Sequence, residues 1–249
     1  MKVKNITVMV LLFFVTTAVG CDNSNPPTID NRVQYIHAKV ENASEFNNVV
    51  EVKLMVFDRY DIVITSSIER YVELVRGDWK NGSFTIELPK MLDPSHLRPL
   101  VGGIGANRPT NIAFAQRTMD INNRNVRIVD AHFVGIDKDG NIIAVFSLSN
   151  RNGGYAGTEV LFTYVDSDVT ISGHTRREGH VMSVPGGPTW FEEITNYSIN
   201  WEKGWNVWYY LKSSTVTDRI WIRTNQWSTT PISGLKWHGS KENLWKFQN

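Results

Sequence analysis

Four stretches of this chain hold residue types able to do chemistry, and spacing decides what each can be. GHTRREGH carries His174, Glu178 and His180, two imidazoles and a carboxylate of the kind that ligate zinc. The segment has no helical or strand periodicity to aim the three at one point. Arg176 and Arg177 also put positive charge where a cation would sit. A solvated loop without metal is the expectation. Glu192–Glu193 is a carboxylate pair, but neighbours on a strand point to opposite faces. The two then do not flank one glycosidic bond, as the two acids of a hydrolase must. IDKDGNII holds Asp137 and Asp139, yet the positions where a calcium loop needs Gly and Glu are Ile142 and Leu148. GGIGANRP, residues 102–109, lacks the Lys-Ser/Thr of a phosphate loop, and Pro109 interrupts any following helix. No Gly-x-Ser-x-Gly elbow and no His-Glu-x-x-His helix occurs. No catalytic residue is assigned, and no cofactor or metal is expected.

The aromatic residues offer a different chemistry. In KGWNVWYYLKSS, 203–214, the odd positions Trp205, Val207, Tyr209 and Leu211 form an unbroken apolar set, the core candidate of a strand. Trp208 and Tyr210 fall on the other face with Asn206 and Lys212. The next strand, DRIWIRTNQW, puts Ile220 and Ile222 on one side and Arg219, Trp221, Arg223, Asn225 and Trp227 on the other. If the two strands pair, Trp208, Tyr210, Trp221, Trp227, Arg219 and Arg223 share a face. Indole rings beside guanidinium and amide groups suit the flat apolar faces and hydroxyls of sugars, or anchor a protein interface. The alternative use of such rings is burial in the core or between domains.

The elements that must position these residues read as strands. Val50, Val52, Leu54 and Val56 alternate with Glu51 and Lys53, and Phe84, Ile86 and Leu88 alternate with Ser83, Thr85 and Glu87. Asn81-Gly82 is a turn signal. VRIVDAHFVGIDKDGNIIAVFSLS reads as a hairpin turning at 137–141. Ile68, Tyr71, Val72 and Val75 fit helical spacing and alternation almost equally. Asp93-Pro94 is placed to cap one short turn. RPTNIAFAQRTMDINNRN reads as a polar loop region. The spacing predicts an all-β protein of two β-sandwich domains, immunoglobulin-like or related, over 33–128 and 129–249. The second is rich in tryptophan, since eight of the nine lie from Trp190 onward.

The first twenty residues have Lys2 and Lys4 ahead of an apolar run, the pattern of a secretory signal. Ala18-Val19-Gly20-Cys21 resembles the lipobox of bacterial lipoproteins, in which the signal is cut before the cysteine and its thiol is acylated. Cys21 is the chain's only cysteine, so no internal disulfide forms. Residues 21–32 read as a lipidated tether. The mature chain has 249 − 20 = 229 residues, with 24 basic against 25 acidic side chains once Lys2 and Lys4 are removed. That balance leaves no electrostatic footprint for nucleic acid.

Together with VQYIHAKVENAS, WKNGSFTIELPKMLDPSHL, YVDSDVTISG, YSINWEKGWNVWYY and GLKWH, the cysteine-ended signal resembles surface lipoproteins of the Bacteroidales type. The resemblance covers most of the mature chain and rests on structural motifs. It implies all-β sandwich domains, and it brings no catalytic residues, because the functions of such proteins are mostly unassigned. The expected protein is a lipid-anchored cell-envelope binding or adhesion protein without catalytic activity. It would sit in the outer membrane, exposed at the surface, with the membrane and a glycan or surface-protein ligand as partners. Three alternatives stand: a carbohydrate-binding lipoprotein of a glycan-uptake system, a glycan-active hydrolase drawing its acids from separate strands, and a subunit of a surface appendage.

Overall fold

A computed structural model describes residues 35–63, 66–100, 112–150, 157–180, 190–242 and Leu244. The secretory signal, Cys21, the tether and the glycine-bearing segment 102–109 lie outside the described residues. The fold is all-β. Its strands are β1 (Tyr35–Lys39), β2 (Glu51–Val63), β3 (Ser66–Lys80), β4 (Ser83–Glu87), β5 (Arg98–Pro99), β6 (Ile112–Arg117), β7 (Asp120–Ile121), β8 (Arg127–Ile136), β9 (Ile142–Ser149), β10 (Gly157–Val165), β11 (Val169–His180), β12 (Trp190–Trp201), β13 (Gly204–Thr217), β14 (Ile220–Ser228) and β15 (Lys236–Ser240). Two short 3-10 turns complete the described structure. In one of them the carboxylate of Asp93 accepts the Ser95 N–H at 2.8 Å with Pro94 in the first turn, as the sequence predicts.

Local chemistry sets the strand connections. Asn81 and Gly82, both at positive φ, make the two-residue turn that joins β3 to β4. Asp137 closes the β8–β9 hairpin by accepting the backbone N–H groups of Asp139 and Asn141. These hydrogen bonds, led by those from Asn141, hold its carboxyl below the usual aspartate range. The segment with Ile68, Tyr71, Val72 and Val75 is strand β3, not helix. The region read as a polar loop contributes β6 and β7. Val52, Leu54 and Val56 are sealed in the core as expected. Val50 precedes the strand and is 51% exposed, whereas Met55 is buried on the opposite face of β2 with Val134 and Ile136.

The pairings form two regions that share a wall. In the first, β1 pairs with β4, β4 with β3, β3 with β2, β2 with β8, β8 with β9 and β9 with β15. A parallel bridge from Val40 to Trp237 returns the path to β1. Inside this circuit sits an aromatic core. Trp237 meets Phe84 and Phe133 edge-on at 5.2 and 5.3 Å between ring centres, and stacks on Phe162 at 5.8 Å. The second region is the sheet β10-β13-β14-β12-β11-β6, in which β12 and β14 run parallel and the other neighbours antiparallel.

Strands β10 and β13 form the shared wall. Val160, Phe162, Tyr164, Trp205 and Tyr209 point into the first core. Val165 and Trp208, on the other face, point into a second core with Ile171, Tyr197, Ile199 and Trp201. Leu100, Ile121, Val126 and Ile128 close that second core from above. The expected boundary at 128/129 falls inside β8, whose residues pair with β2, β9 and β10 alike.

Candidate functional site

Strand parity places the aromatic face as the alternation predicts. Tyr210 lies opposite Trp227, Lys212 opposite Asn225, Ser214 opposite Arg223, and Val216 opposite Trp221. Across β14, Glu193 lies opposite Arg223, Thr195 opposite Asn225, and Tyr197 opposite Trp227. Trp208, Tyr210, Trp221, Arg223 and Trp227 therefore do share one face. Arg219 does not. With Asp218 it forms the two-residue turn between β13 and β14, both at positive φ, and its side chain is exposed at the tip. The sequence lacks the Asn-Gly that normally announces such a turn, which is why Arg219 read as strand.

The face divides along its length. At the lower end Trp208 is only 6% exposed. Its indole N–H donates to Thr163 at 2.9 Å, and the Thr163 hydroxyl donates to Asp130 at 2.6 Å. Asp130 in turn pairs with Arg98 at 2.7 Å. Trp227 lies between Trp208, at 4.8 Å, and Tyr197, at 5.2 Å. These two indoles belong to the second core, the covered alternative weighed from the sequence.

At the upper end polar groups replace the apolar cover. The side chain of Glu193 is 11% exposed and is held between two guanidinium groups. Arg177 donates to one carboxylate oxygen, and Arg223 faces the other at 3.6 Å. The Arg223 guanidinium lies over the Trp221 ring, 3.5 Å from its centre. The Trp221 indole N–H donates to the Ser214 hydroxyl. The Tyr210 hydroxyl donates to the Asn225 side-chain carbonyl at 3.1 Å, and the Asn225 amide donates to Thr195 at 3.1 Å. Burial first, then the carboxylates of Glu193 and Glu159, raises the Tyr210 phenol above its ordinary value of 10.0. Val216, across from Trp221, is 60% exposed. Two rings, two guanidinium groups, a carboxylate, an amide and hydroxyls are thus gathered on a rigid sheet at a partly open surface.

The other chemical candidates resolve differently. GHTRREGH is not a loop but the second half of β11. His174, Glu178 and His180 all fall on its outer face, and six residues of strand separate the two imidazoles by about 20 Å. That spacing prevents them from sharing an ion. Among the described residues no group of three His, Cys, Asp or Glu is placed to hold a metal. His174 meets the Thr118 hydroxyl at 3.1 Å, and His180 packs edge-on against Trp190 at 4.7 Å. Glu178 pairs with Arg176 at 2.6 Å. Glu192 and Glu193 point to opposite faces, as predicted: Glu193 joins the polar cluster, and Glu192 stands beyond the sheet, 3.9 Å from Arg176.

Thr195 and Ser214 are site residues that the sequence did not single out, and Arg177 and Glu193 were singled out there in other roles, as charge against a metal and as half of a carboxylate pair. Ser214 continues the even parity of Trp208, Tyr210 and Lys212 on β13, whereas Glu193 and Thr195 are reached only through the parallel pairing of β12 with β14, and Arg177 through the pairing of β11 with β12. No helix among the described residues is long and apolar enough to cross a membrane. No family model, no curated protein and no solved structure matches the chain.

Proposed function

We propose that this chain is a lipid-anchored binding or adhesion protein of the cell envelope, without catalytic activity, and that its ligand face is the upper end of the β13–β14–β12 sheet. One observation carries the ligand face. Trp221, Arg223, Glu193, Arg177, Tyr210 and Asn225 form an ordered polar and aromatic network where, among the described residues, the apolar cover of the same sheet has ended. A fold that needed only stability would have more to gain from apolar side chains at a sheet position this buried. The anchor rests on the signal-like first twenty residues and on Cys21 as the single cysteine. Several acyl chains there, each buried CH₂ contributing roughly 0.8 kcal/mol, hold a protein firmly on a bilayer.

A second reading names the ligand class: a glycan, as for a carbohydrate-binding lipoprotein of an uptake system. Trp221 and Val216 supply apolar surface, and the half-buried Ser214, Tyr210 and Lys212 supply groups for hydroxyls, with Asn225 beneath them holding the Tyr210 hydroxyl. Radiolabelled fatty acid incorporation tests the anchor: wild type takes label and Cys21→Ala does not. Equal labelling would remove the anchor. Glycan arrays test the face: binding by wild type is expected to be lost in Trp221→Ala, and binding retained in that variant would remove the site.

A further inference from the structure

We infer that the upper face selects a saccharide bearing a carboxylate, such as a hexuronate, and that Arg223 is the residue that reads the acid. The inference rests on the glycan reading above. Two guanidinium groups converge on the single carboxylate of Glu193. Arg177 takes one oxygen in a close hydrogen bond. Arg223 stands 3.6 Å from the other, beyond hydrogen-bond reach, so its charge is balanced only loosely. Among the described residues Arg223 donates no hydrogen bond, and its Nε is sealed from solvent without a partner. The sealed Nε is out of a ligand's reach, so the donors left to an incoming group are those of the terminal nitrogens, on a side chain that is 30% exposed.

What holds Arg223 in place is the Trp221 ring, whose centre lies 3.5 Å from the guanidinium carbon, while its side chain stays 30% exposed. A planar, fixed, under-used guanidinium at an opening matches the fork geometry of an incoming carboxylate. The charges on the face favour the same sign of ligand. Arg117, Arg177, Lys212 and Arg223 stand against Glu159 and Glu193 on that side of the described sheet, while Arg98 and Asp130 offset each other, an excess of two positive charges. The whole mature chain has no such excess, so the positive charge is concentrated here. The half-buried Ser214 lies directly across from Arg223 on the neighbouring strand, about 5 Å away, within reach of a hydroxyl on the same sugar ring.

The test is calorimetric titration of the folded mature chain with trigalacturonate, with neutral galactotriose and with polyglutamate. Wild type is expected to bind trigalacturonate at least tenfold more tightly than either of the others. Arg223→Gln is expected to lose that preference while retaining weak binding of the neutral sugar. Arg223→Lys, which keeps the charge but not the fork, is expected to recover less than half of the lost affinity ratio. Equal affinity for the acidic and neutral sugars, abolished by Trp221→Ala, overturns the acid preference and leaves the glycan reading in place. Polyglutamate binding as tight as trigalacturonate, or a preference unchanged in Arg223→Gln, overturns the role of Arg223. Absence of binding to both sugars overturns the inference, and absence across a glycan array removes the reading beneath it.

Discussion

Trp208 and Trp221 stand on the same face of the same sheet and have opposite fates. Trp208 is sealed under Leu100, Ile121, Val126 and Ile128, with its indole N–H satisfied by the interior hydroxyl of Thr163. Trp221 stands on the other arm of the same hairpin, near its turn, half-buried, with a guanidinium on one side and an exposed valine across from it. Alternation decides the face of a ring but not whether another segment lies over it. The covering residues are Leu100 and residues from 119–128, far from both rings in sequence. The lower half of the face is therefore packing, and the upper half is the part we propose for recognition.

Four experiments can break or sharpen this contrast. Trp208→Ala is expected to cost about 3–5 kcal/mol, as large-to-small changes of aromatic residues in cores do. Chemical denaturation measures it, and a cost below about 1 kcal/mol would mean that the lower half is not packed as described. Thr163→Val keeps the shape but strips partners from the Trp208 indole and from Asp130. A loss of about 2 kcal/mol is expected from the unsatisfied buried groups, read from the same denaturation curves.

Arg219→Gly acts in the opposite direction. Residues 218 and 219 both adopt the left-handed conformation, which glycine occupies without strain. Relief of the left-handed strain, of order 1–3 kcal/mol, is expected to outweigh the roughly 0.4–1 kcal/mol of unfolded-chain entropy that glycine adds, so the substitution raises stability modestly and leaves ligand binding intact. A loss of binding would return Arg219 to the site.

The smallest effect is a shift in titration. Tyr210 has a raised phenol pKa, from burial first and from Glu193 and Glu159 after it. Folding then favours the protonated phenol. Its contribution to stability is complete below the unfolded value near 10 and is lost as pH rises through the folded value. Glu193→Gln removes one cause and leaves burial, so tyrosinate absorbance in that variant is expected to develop at a lower pH than in wild type, though still above the ordinary range. An unchanged curve would place Tyr210 beyond the influence of the cluster.

Much of the fold was readable from residue order. Phe84, Ile86 and Leu88 alternate and are buried. Asn81-Gly82 and Asp137 turn the chain where their chemistry says they should. Trp205 and Tyr209 enter the first core on the predicted parity. Three things were not readable, each for a physical reason. Strand β11 has glycine, histidine and arginine where a half-buried strand usually shows apolar alternation, because its upper half borders a polar cluster. The Asp218–Arg219 turn uses side chains that pay strain rather than the glycine that signals a turn. The parallel pairing of β12 with β14 is a long-range contact that no local spacing encodes, and it alone brings Glu193 to Arg223. The candidate site was thus half visible: its rings and Arg223 by parity, its carboxylate and second guanidinium only through topology.

The central contrast has one direct readout. Hydroxyl-radical footprinting of the folded protein, mapped by peptide mass, reports each indole separately. With and without a pool of neutral and acidic oligosaccharides, the account predicts that Trp221 is oxidised in the free protein and shielded by the pool, while Trp208 reacts only after unfolding. Equal oxidation of the two rings, or no shielding of Trp221, would contradict it.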